Sequence, residues 1–150
     1  MKRWMIYLLL VAGAFLFPKR PVELGKLIPV ELVVVEKSEG LYRIRTDTGD
    51  MGQGDTLRAA IDNLRSAAPG NLFLDTAQYL AITEDALGAI PDLPRYLKGG
   101  TRLCVTDFGM DAERAAIFLR AHPPKLRLKD WKTGIKPAYL QQIGEGLLLQ

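Results

Sequence analysis

Residues 49–87 read GDMGQGDTLRAAIDNLRSAAPGNLFLDTAQYLAITEDAL, a glycine-rich turn, a helix, a buried strand and the start of a second helix. Gly49, Gly52 and Gly54 allow backbone angles that a β-carbon obstructs. Asp55 or Thr56 is placed to cap the helix by accepting one of its free N–H groups. Leu57, Ala60, Ile61, Leu64 and Ala68 recur at three- and four-residue steps and define one apolar helical face. Pro69-Gly70-Asn71 stops that helix. The run from Asn71 to Thr83 is too apolar for a strand with one wet face, so it is expected to be covered on both sides. Thr83-Glu84-Asp85 then gives a second helix start, with two carboxylates in the first turn.

Outward from this stretch the pattern continues. Val30–Lys37, VELVVVEK, is a β-branched strand, and Leu41–Thr46, LYRIRT, alternates as a strand with one solvated face. Ser38-Glu39-Gly40 joins them as a hairpin turn. After Leu87, Pro91 and Pro94 forbid one smooth helix, so a short helix, a break and a further helical turn ending at Gly99-Gly100 are expected. Thr101–Phe108, TRLCVTDF, is a third hydrophobic strand. Met110-Asp111 opens a helix that ends at His122-Pro123-Pro124. Lys125–Trp131, KLRLKDW, alternates like an edge strand, and residues 132–150 form a tail of helical composition. The order β-β-α-β-α-β-α predicts a single α/β domain over residues 30–131, a mixed sheet flanked by helices and preceded by an N-terminal apolar helix.

Composition narrows the function classes. One cysteine, Cys104, and one histidine, His122, exclude an internal disulfide and a multi-Cys/His metal site. Cys104 reads as a small buried hydrophobe. The net charge of +3 includes Lys2, Arg3, Lys19 and Arg20; without those four the chain stands at −1. An acidic body with basic ends does not fit a nucleic-acid surface and fits better beside an anionic membrane.

The N-terminus carries that expectation further. Lys2-Arg3 precede the apolar run Trp4–Phe17, and Pro18-Lys19-Arg20-Pro21 closes it. Residues 1–20 therefore read as a signal-anchor or signal peptide, with 21–29 as a linker. The apolar run is short against the ~20 residues of a spanning helix. Ala12-Gly13-Ala14 offers a small-residue cleavage site.

The words quoted above resemble the N-terminal domain of the Ger(x)C family, spore-germination proteins that form the C subunit of germinant receptors. The shared pattern is the turn Gly52-Gln53-Gly54-Asp55-Thr56, the helix Ala59-Ala60-Ile61-Asp62-Asn63-Leu64 and the strand Leu72-Phe73-Leu74 running to Thr83-Glu84-Asp85-Ala86. A short helix, a strand and an Ala-rich helix before Pro-Pro follow, from Leu93 to Pro124, and the likeness spans roughly residues 30–130. Three departures stand out. The family's histidine after the Leu-Phe strand is replaced by Asp75-Thr76-Ala77, the lipoprotein cysteine is missing, and the further domains are absent from these 150 residues. The resemblance, with the apolar N-terminus, implies a membrane-anchored, non-enzymatic module on the extracytoplasmic face. Its role would be assembly or accessory work in germination signalling. Expected partners are the membrane and integral membrane germinant-receptor-like subunits, with no nucleic acid and no cofactor. Lys125, Arg127, Lys129 and Lys132 are the candidate surface for a partner or lipid headgroups, against a plain solvated strand face.

A second class of reading uses the acidic turn. Asp47, Asp50 and Asp55 could make an exported small-ligand or Ca²⁺-binding protein, or a hydrolase, although their spacing is not that of an EF-hand loop. Asp47-Thr48-Gly49, echoed by Asp75-Thr76-Ala77, matches the tripeptide of aspartic proteases, whose two carboxylates must share one proton. Arg45-Thr46 before Asp47 is not the apolar strand that buries such a pair, and Asp47 reads rather as the turn residue that ends the hairpin. His122, before two prolines at a helix end, suits the helix dipole better than catalysis.

Overall fold

In the computed structural model, which describes residues 26–150, a seven-stranded mixed sheet carries the chain. In chain order the elements are β1 (Leu27–Pro29), β2 (Leu32–Ser38), β3 (Leu41–Thr46), β4 (Met51–Gly54), α1 (Leu57–Ala67), β5 (Asn71–Phe73) and β6 (Tyr79–Ile82). A long 3-10 segment (Glu84–Arg95), β7 (Arg102–Thr106), α2 (Ala112–Ala121), β8 (Ala138–Ile143) and β9 (Gly146–Leu149) complete it. The main sheet runs β4-β3-β2-β6-β7-β8-β9, and β1 and β5 pair separately. β2, β6, β7 and β8 are mutually parallel, whereas β3, β4 and β9 are antiparallel to their neighbours.

The residue pattern explains the layers. β2 sits mid-sheet because Leu32 and Val34 bury on one face while Val33 and Val35 bury on the other. On the first face Val33, Val35, Leu80, Ile82, Leu103 and Val105 meet Leu57, Ala60, Ile61 and Leu64 of α1 and Ala86, Ala89, Ile90 and Leu93 of the 3-10 segment. On the second face Leu32, Val34, Ala81, Cys104 and Leu140 meet Ala112, Ala115, Ala116 and Leu119 of α2. The expected mixed sheet flanked by helices is therefore present as a single α/β domain. The β2–β3 turn uses left-handed angles at Glu39 (φ 51°) and Gly40 (φ 82°), which suit the strand twist. α1 begins where the Thr56 hydroxyl accepts from Ala59 N at 3.1 Å, and its approach to β4 leaves no room for side chains at Gly52 or Gly54.

Several expectations are corrected in detail. The glycine-rich turn contains a strand, β4, and residues 27–29 of the expected linker form β1. The Asn71–Thr83 run is not one strand. It divides into β5, a 3-10 turn (Leu74–Thr76) and β6, because the Thr76 hydroxyl accepts from Val30 N at 3.0 Å and pins the chain there. Residues 84–95 are 3-10 rather than α, with Pro91 and Pro94 inside. Lys125–Trp131 makes a 3-10 turn (Leu128–Asp130) and one isolated bridge, Arg102 to Arg127, not an edge strand. The tail folds as the β8–β9 hairpin, not as a helix.

The membrane reading is also corrected. Among the described residues no helix is long and apolar enough to cross a membrane. The membrane-anchored germination role, the integral membrane partners and the extracytoplasmic anchored location are corrected to this extent: nothing in residues 26–150 supports them. The segment 1–20, read as a signal-anchor or signal peptide, lies outside the described residues.

Candidate functional site

The connections that leave β6 and β7 diverge. The 3-10 segment after β6 packs on the first face, and α2 after β7 packs on the second. Neighbouring parallel strands whose connections part to opposite faces leave a crevice beyond their carboxyl ends. Here that crevice holds about 250 Å³ and is lined by Lys37 and Ser38 from β2, Thr83, Glu84 and Asp85 after β6, Thr106, Asp107 and Phe108 at the end of β7, and Tyr139 of β8. It shares the lining residues Glu84 and Tyr139 with a larger apolar hollow of about 770 Å³. Leu87, Pro91, Val105, Trp131, Ile135 and Pro137 line that hollow, with Lys136 at its wall. Among the described residues no helix covers β8 on the first face: the strap of residues 131–137, turned by Gly134 at φ 97°, arches over the hollow instead.

Most polar groups of the crevice are committed. The Tyr139 hydroxyl donates to Asp107 Oδ1 at 2.5 Å. That bond, ahead of partial burial, pushes the Tyr139 pKa up to about 12, so the hydroxyl stays protonated at neutral pH. Thr83 Oγ1 accepts from Lys37 N at 3.2 Å, and the Thr106 hydroxyl donates to Leu140 O at 3.1 Å. Two cations lie on aromatic rings: Lys37 Nζ is 5.0 Å from the centre of Tyr42, and the Arg43 guanidinium 5.2 Å from that of Phe108. Glu84, Asp85 and Asp107 remain exposed, so the polar end carries more negative than positive charge.

The three carboxylates singled out in the sequence do not all share one site. Asp47 and Asp50 line a separate polar hollow of about 580 Å³ with Asp111 and Glu113, but Asp55 is not part of it. Asp47 Oδ1 accepts from both Glu31 N and Leu32 N at 3.0 Å, which ties the β3–β4 turn to the start of β2. Asp50 accepts from the Thr48 hydroxyl at 2.7 Å. Among the described residues no group of three or more His, Cys, Asp or Glu side chains is placed to hold a metal ion. The Ca²⁺ reading of the Asp47–Asp55 turn therefore loses its geometry. His122 is exposed and stacks on Phe118 with ring centres 4.6 Å apart. Cys104 is buried, and burial raises its thiol to about 12. Lys125, Arg127, Lys129 and Lys132 are exposed along a loop and a 3-10 turn, and none lines the crevice or the hollow beside it.

Two features escape a linear reading. Glu36 is wholly buried on β2, where its Oε1 accepts from Arg45 at 2.6 Å and from Gly109 N at 2.7 Å. Its only sequence trace is a lone acid in an apolar run, with a base on the paired strand. The crevice and the hollow beside it have no motif, since Glu84, Asp107, Trp131 and Tyr139 come from four places in the chain.

Fold and crevice together define a mixed α/β sheet domain with a ligand-sized groove at the carboxyl ends of its parallel strands. No protein-family model, curated protein or solved structure matches the chain.

Proposed function

We propose that this domain binds, without chemistry of its own, a small molecule with an apolar body and a cationic head. The observation that carries the reading is that the apolar hollow, about 770 Å³, and the acidic crevice at the strand ends share Glu84 and Tyr139 in their walls. That volume lies within the roughly 300–1,000 Å³ of small-molecule sites. Val105, Leu87 and Trp131 would cover the body, and Glu84 and Asp107 would face the head. The Thr106 and Tyr139 hydroxyls donate into structural bonds and Thr83 Oγ1 accepts one, which supports binding rather than nucleophilic catalysis.

The test is an NMR titration with 4-phenylbutylamine, 4-phenylbutanol and 4-phenylbutyrate, which share one apolar body. Shifts should centre on Leu87, Val105 and Tyr139, with the amine tightest and the acid weakest. Val105→Trp should fill the hollow and abolish them. Shifts scattered elsewhere, or none, would remove the reading; equal affinity for all three would remove only the cationic head.

Kinship with the Ger(x)C N-terminal domain is proposed at the level of fold pattern alone. Its support is the Gly52–Thr56 turn leading into a capped helix, and the Leu72-Phe73 strand leading to the acidic start at Glu84-Asp85. A solved family domain with a different strand order from β4-β3-β2-β6-β7 would end it.

A further inference from the structure

The two edges of the main sheet are treated differently. At β4 the outward N–H of Gln53 is taken by Asn63 Oδ1 at 3.0 Å, so the helix closes that edge. At β9 the edge is open among the described residues. Tyr139 and Gln150 exchange both backbone bonds, at 2.8 and 3.0 Å. With Gln141 opposite Leu148, the ladder alternation turns the Leu148 N–H and C=O towards β8 and those of Leu147 and Leu149 outwards. Among the described residues nothing bonds to these outward groups. Arg114 donates to the Glu145 carbonyl, so the free edge starts just beyond it.

Exposed edges are normally blunted by shortness, a charge, a proline or a bulge. The four-residue Gly146-Leu147-Leu148-Leu149 is short but carries no charge, proline or bulge. Apolar surface flanks it on both faces: Leu148 is 38% exposed on one, and on the other Ile117 of α2 is 59% exposed. Two shallow hollows of about 350 Å³ run along the edge between α2 and β9, around Phe118 and Leu147.

We propose that β9 pairs antiparallel with β9 of a second copy of this chain, about a two-fold axis through Leu148. In this register Leu147 of one copy faces Leu149 of the other, and each such pair exchanges two backbone bonds. The outward groups of both residues are then satisfied. Leu148 meets Leu148 on the first face, and the Leu147 and Leu149 side chains extend the apolar surface beside α2 on the second. No charged residue falls within the paired stretch, since Gly146 lies opposite Gln150. This self-complementarity is what selects a second copy over an unrelated strand: an isologous contact needs one patch that matches itself. The paired stretch is short, so the dimer belongs to the weak, concentration-dependent class.

Sedimentation equilibrium of the full chain, from about 1 µM to about 1 mM, reads this directly. The mass should move from monomer towards dimer and stop there, and the Leu147 and Leu149 amides should exchange more slowly as concentration rises. Leu148→Lys places like charges opposite one another and should raise the dissociation constant at least about tenfold. Leu149→Pro removes an outward N–H without touching the bonds to β8 and should act alike. A heteronuclear NMR spectrum checks that each variant keeps the fold. A monomer throughout, a mass that grows past dimer, or a dimer indifferent to both substitutions overturns the proposal.

Discussion

Gly52 is a position where one methyl group decides whether the helix can lie on the sheet. A β-carbon there would stand 2.3 Å from Ala60 O and 2.4 Å from Leu64 N, both backbone atoms of α1. Neither can swing aside, so Gly52→Ala should force α1 off β4 and cost about 3 kcal/mol or more in a urea melt. A loss under about 0.5 kcal/mol would mean that the helix is not held where the structure puts it. Tyr139 supports a different test. Its pKa is raised from the ordinary value of 10.0 to about 12, chiefly by the bond to Asp107. A group whose acid form is favoured by folding adds stability that is complete below the unfolded pKa and fades as pH rises through the folded one. The contribution should therefore vanish between about pH 10 and 12, and Tyr139→Phe should flatten that part of the stability profile. Ultraviolet titration of the protein against its Tyr139→Phe variant should show that the tyrosine lost ionises late. A lost component that titrates near 10 would show that the Asp107 bond does not form in solution.

At the scale of elements, the sequence was legible wherever periodicity and caps agreed. The LYRIRT alternation marked β3 at its true bounds, and the three- and four-residue steps from Leu57 marked α1. Thr56 proved to be the cap, and Thr56→Ala should lower stability by about 1 kcal/mol with the fold unchanged, as chemical denaturation would read. If Asp55→Ala costs as much as Thr56→Ala, the cap is shared. Illegible elements were those fixed by partners distant in the chain. Asn71–Thr83 looked like one strand because its composition is apolar throughout; the break at Thr76 comes from its bond to Val30, 46 positions away. β4 was hidden because Gly52 and Gly54, required by the close helix, remove the side chains by which strands are recognised. The β8–β9 turn, Gly144 at φ 59° followed by Glu145, was overlooked in a tail whose leucines suit a helix equally well. The groove was illegible for the same reason: its residues share a place only once the 3-10 segment and the 131–137 strap diverge around β7 and β8.

Across the whole molecule, two apolar layers use one sheet. β2, β6 and β7 give alternate side chains to each, so Leu80 and Ala81, neighbours in sequence, belong to opposite cores. Losing either layer would expose the other side of the same strands, and the layers should therefore unfold together rather than one at a time. Leu119 tests this, because it is fully buried on α2 and lies in the second core alone. Leu119→Ala should cost roughly 2–5 kcal/mol through lost burial and the cavity left behind. The informative readout is on the far side of the sheet. If unfolding is one event, native-state amide exchange of Ile61 and Leu64 in α1 should quicken by the same factor as that of Leu80 in β6, about 30-fold or more. Exchange in α1 that stays at its original rate while α2 and β6 quicken would mean that the first layer holds without the second, and the shared sheet would not be what couples them.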